Sequence, residues 1–126
     1  LTSGDIKVNL ERRFAMTCHG PDAGQGGLVA WTCTKTAGEV MLRVDFFGTS
    51  PLMIEAVTAL ALRVEAESAR SFLGFVATLP YDGAQPDRAR TWVGEHIATG
   101  GEMMIGVVRF TLSHSDSTYL LRMERE

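Results

Sequence analysis

Two cysteines, Cys18 and Cys33, stand at matching places in two short alternating stretches, so a bond between them would fix how those stretches pair. In Phe14-Ala15-Met16-Thr17-Cys18 the larger apolar side chains fall on one face. Val29-Ala30-Trp31-Thr32-Cys33 repeats the pattern, as the two-residue period of a strand requires. Both sulfurs then face the same core. The segment from His19 to Gly27 between them is rich in glycine and holds Pro21. Such residues let two strands fold back on each other as a hairpin. Bridging needs Cα atoms within roughly 7 Å, and closing a loop of about 15 residues stabilises a domain by roughly 3 kcal/mol in the chain-entropy model.

The competing uses of the pair are two separate core thiols, a zinc site and a nucleophile. Cys18, His19 and Cys33 supply at most three metal ligands and lack C-x-x-C spacing. Adjacent residues of a strand point to opposite faces, which weakens a Cys18/His19 nucleophile pair as well.

A chain of 126 residues that is 45% hydrophobic suits one domain, spanning residues 1–126. Its net charge is −3 and its 12 Lys and Arg are scattered, so no basic patch for nucleic acid is visible. The longest apolar run, Pro51 to Leu62, is interrupted by Glu55 and is too short to cross a bilayer. Disulfides persist in oxidising compartments, and the chain opens on Leu1. Together these point to a trimmed or mature chain of secreted or extracytoplasmic location.

The pattern predicts an α+β fold: a mainly antiparallel sheet of about six strands with two helices on one face, in the order βββαβαββ. Strands are expected over about Lys7–Cys18, Leu28–Lys35 and Val40–Phe47, with Thr36 to Glu39 as a tight turn. Ser50 and Pro51 then open a predicted helix whose Met53, Val57, Leu60 and Val64 recur at helical spacing. Glu65 to Arg70 reads as a linker, and Phe72–Leu79, apolar on both faces, as a central strand. A loop from Pro80 to Pro86 leads to a helix ending near Ala98, stopped by Gly100 and Gly101. Strands over Met103–Leu112 and Tyr119–Glu124 flank a polar turn from Ser113 to Thr118.

No catalytic constellation is enforced by spacing. Glu65 and Glu67 would face different sides of a helix, and His114 with its serine neighbours sits in a tight turn that precludes a triad. Gly24, Gly26 and Gly27 lack the strand-to-helix setting of a phosphate cradle. Nothing calls for a metal or cofactor. Function is expected on the two irregular loops, with Tyr81 and Asp82 on one and His19 and Asp22 on the other as candidate partner-binding residues. Tyr81 is the expected anchor, its other use being to cover the end of the core. The reading is of a non-enzymatic binding module for a protein or small ligand. The alternatives are an enzyme with a site built from separated residues such as Arg43, Asp45 and His96, and an accessory domain of an exported lipoprotein.

Overall fold

A computed structural model describes residues 2–79, 81 and 83–126. The chain opens with helix α1, Ser3–Phe14. Thr2 caps it, its hydroxyl accepting from the Asp5 amide at 3.2 Å, and Arg12 and Arg13 oppose the negative end of the helix dipole. A strand was expected from Lys7, but Ile6, Leu10 and Phe14 fall four apart with charged residues between them. That is one helical stripe, and only the residues after Ala15 alternate.

Four strands follow as a meander: β1 Thr17–Ala23, β2 Val29–Ala37, β3 Val40–Ser50 and β4 Met53–Leu62. The predicted helix over residues 50–64 is therefore a strand. Pro51 and Leu52 make a hairpin turn, after which Val57, Ala59 and Ala61 are buried while Thr58, Leu60 and Leu62 are half-buried on the other face. Apolar side chains on both faces had mimicked a helical repeat. The same ambiguity reverses the next element. The expected strand over Phe72–Leu79 is the second half of helix α2, Ala66–Val76, which absorbs the expected linker and buries Ala69, Phe72, Leu73 and Val76. Helix α3, Pro86–His96, stands as predicted, with proline in its first turn. The helices meet closely. Arg70 lies along Gly94, donating from Nε to its carbonyl at 3.2 Å, and Arg90 lies along Gly74.

The chain ends in β5 Gly101–Ile105, β6 Val108–Ser115 and β7 Thr118–Arg125. The single strand expected over Met103–Leu112 is broken at Gly106 and Val107, where a two-residue turn reverses it. The class is α+β, with seven antiparallel strands and three helices among the described residues. Strand order is β1-β2-β3-β4-β7-β6-β5, so β4 and β7 form the seam between two meanders. Alternate residues point to a helix-covered face, where Trp31, Phe46, Val57, Met123 and Phe110 lie on successive strands. Trp31 stacks on Phe46 with centroids 5.5 Å apart.

Cys18 and Cys33 are bonded. They face each other directly in the β1–β2 ladder with Cα atoms 4.0 Å apart. The bond takes up both thiols, which excludes them as zinc ligands or nucleophiles while it is intact. No described helix is long and apolar enough to cross a membrane.

Candidate functional site

The β3–β4 hairpin is held in place at its tip, against the start of α1. The Pro51 carbonyl accepts from the Ser3 amide at 2.9 Å, and Ser50 Oγ accepts from the Leu52 amide at 3.3 Å. Nearby, the β5–β6 turn is held by the Glu126 amide, which donates to the Val107 carbonyl at 2.8 Å. Tyr81 closes the third side, its hydroxyl donating to the Ile105 carbonyl at 3.2 Å and its ring tilted against Phe110. A Cβ on Gly106 would lie 2.9 Å from the Gly83 carbonyl oxygen, so the turn and the Tyr81 loop touch closely.

These segments enclose a cleft of about 260 Å³ at an end of the sheet. Its floor includes Ile54, Val57, Val108 and Met123, and Tyr81, Leu52 and Val107 form its walls. Leu52 is 76% exposed, Val107 45% and Met53 43%, although all three are large apolar side chains. Arg125 lines the cleft and contacts Met53 Sδ at 3.1 Å. Among the described residues Arg125 has no carboxylate partner. Glu55 lines the cleft too, so it can take one apolar group with both a cation and a carboxylate beside it.

Burial pushes the Tyr81 phenol above its ordinary value of 10.0, with Arg88 pulling weakly the other way. The folded chain therefore holds this proton at a pH where the unfolded chain has begun to lose it. Stability is whole below about pH 10 and falls as pH rises through the native value. Tyr81→Phe should flatten the fall in denaturant midpoint above about pH 10; a slope equal to that of the unsubstituted chain would show that Tyr81 does not contribute.

The four loop residues singled out in the sequence do not gather into one site. His19 and Asp22 are exposed on β1, the edge strand at the far side of the sheet from Tyr81. Asp82 lies outside the described residues. Tyr81 is half-buried, so it is at once a wall of the cleft and a cover for the core. Leu52, Val107 and Arg125 escaped the sequence reading. The available signals were Ser50-Pro51 as a turn rather than a helix start, and Gly106 between two apolar pairs.

Arg43, Asp45 and His96 do not share a cleft. Asp45 lies on the open sheet face, where Thr32 Oγ1 donates to it at 2.7 Å and Arg43 Nε at 2.8 Å. This contact pushes the Arg43 guanidinium pKa further up. His96 is on the helix side, stacked on Trp92 with Nδ1 at 2.8 Å from the Trp92 carbonyl. Among the described residues no three His, Cys, Asp or Glu side chains gather as metal ligands. A second, larger groove of about 710 Å³ runs between α1, α2 and the β2–β3 hairpin, with Phe14, Leu42, Val64 and Phe72 in its lining and Lys35, Arg63, Glu65 and Glu67 at its rim. The chain matches no protein-family model, no curated protein and no solved structure.

Proposed function

We propose that this domain is an extracytoplasmic, non-enzymatic binding module that recognises a partner protein through the hairpin cleft. One observation carries the reading: Leu52, Met53 and Val107 remain exposed around a preformed cleft of mixed apolar and polar lining. Contiguous apolar side chains at protruding tips cost solubility unless something covers them. Drug-sized ligands occupy sites of about 300–1,000 Å³, whereas 260 Å³ suits a single large side chain. The partner presents such a side chain as its anchor, with an acidic group beside it for Arg125. The intact disulfide supports the location, since reducing compartments do not maintain such bonds.

The wider groove between α1 and α2 supports a second reading, in which the ligand is a small amphipathic molecule lying over Phe14 and Phe72. One titration separates the two. N-acetyltryptophan carries an aromatic side chain and a carboxylate; its amide lacks the charge. Followed by amide NMR at millimolar concentration, N-acetyltryptophan should give saturable shifts at Ile54, Val57, Val107 and Val108. Val107→Asp should abolish them. Arg125→Gln should weaken binding about threefold and remove the preference for the charged compound. Shifts confined to Leu42, Val64 and Phe72 would move the site to the groove, and no saturable shifts would reject the cleft.

A further inference from the structure

The sheet has two edges, and only one is blunted. On β1 the pairing register slips between His19 and Asp22, and Pro21 has no amide proton to offer. On β5, Gly101–Ile105, the ladder against β6 is unbroken and the strand carries neither proline nor lysine. Ile105 and Val108 close a two-residue turn and so form a hydrogen-bonded pair, which makes Met103–Phe110 and Gly101–Leu112 hydrogen-bonded pairs too. The backbone groups of Glu102 and Met104 consequently point away from β6. An unpaired edge of this kind is a template for another strand.

We propose that β5 pairs with β5 of a second copy, giving a two-fold dimer with one continuous antiparallel sheet. Centring the pair on Met103 sets Glu102 of each copy opposite Met104 of the other. Four backbone hydrogen bonds form, and the two Met103 side chains meet on the helix-covered face. So short a ladder makes a small interface by itself, and α3 enlarges it. Met103 lies in a shallow cleft with Asp87, Arg88, Thr91, Trp92 and Glu95, so this stripe of α3 borders the free edge. A two-fold axis perpendicular to the sheet brings the helices together antiparallel and centres them near Thr91. Glu95 of each copy then faces the first turn of α3 in the other, where Arg88 supplies the opposite charge next to Asp87.

The test is sedimentation of the full chain, with Met104→Pro as the main variant. Proline there removes an amide that points outward and leaves the β5–β6 ladder whole. The unsubstituted chain should sediment at twice its 13.7 kDa at micromolar concentration, and Met104→Pro should be a monomer. Glu95→Arg should weaken the dimer roughly tenfold, and adding Arg88→Glu should restore it. This charge swap also decides the matter should Met104→Pro fail to fold. A monomeric parent chain, a dimer that persists in folded Met104→Pro, or a double variant as weak as Glu95→Arg would each overturn the proposal.

Discussion

Opening the Cys18–Cys33 bond should lower the unfolding free energy by about 3 kcal/mol, as expected for a loop of this length. The bond closes a sequence separation of 15. For a chain of this size the loss corresponds to a fall in melting temperature of roughly 10 °C. The effect acts mainly on the unfolded ensemble, which regains the freedom that the cross-link removes. Cys33 is fully buried and facing the core, so its thiol can remain in place after reduction without a polar penalty. Reduction and the double variant Cys18→Ser, Cys33→Ser should therefore both destabilise, the serines somewhat more because a hydroxyl is then buried. Denaturant unfolding with and without reductant gives the comparison, and a count of free thiols under denaturing conditions fixes the starting state. Unchanged midpoints in both cases would deny the bridge a structural role.

Gly48→Ala should cost about 2–3 kcal/mol, the upper part of the roughly 1–3 kcal/mol typical of forcing extra volume into packed structure. Gly48 sits in β3 where the register against β4 slips, just before the hairpin tip. A Cβ there would run into the Met53 carbonyl oxygen and lie 3.0 Å from the Ile54 Cα. Backbone cannot rotate aside as a side chain can, so the slip itself must relax. The tip that carries Leu52 and Met53 moves with it, and N-acetyltryptophan binding should be lost together with stability. Gly38→Ala is the control: its φ of +63° strains an alanine, but nothing lies within 4 Å of the added carbon. That substitution should cost about 1 kcal/mol and leave the cleft intact. Equal losses at the two positions would mean that close approach at Gly48 is not what matters.

Elements with a single dominant signal were legible in the sequence. Val44 and Phe46 alternate cleanly against Arg43 and Asp45, and β3 lies where expected. Pro86 before a polar and apolar mixture marked α3, and Cys18 and Cys33 on like faces marked their pairing. Elements buried on more than one side were not. Residues 54–62 and 69–79 are nearly continuous apolar runs, and their periods match a strand and a helix almost equally. Their assignment depends on what packs around them: β7 pairs with β4, and α3 crosses α2. The candidate site shows the same division. Tyr81 stood out because prolines flank its loop, whereas Leu52 and Val107 are distant in sequence and become neighbours only when the two meanders join.

That seam also orders how the molecule comes into being. Each of the other strand ladders joins strands adjacent in sequence through a turn or short loop, and such local closures are fast. Pairing of β4 with β7 must wait for residues 118–124, so it depends on the far end of the chain. The disulfide lies wholly within the first meander. The cross-link can therefore close on residues 17–34 alone, whereas joining one half of the sheet to the other requires the carboxyl end of the chain.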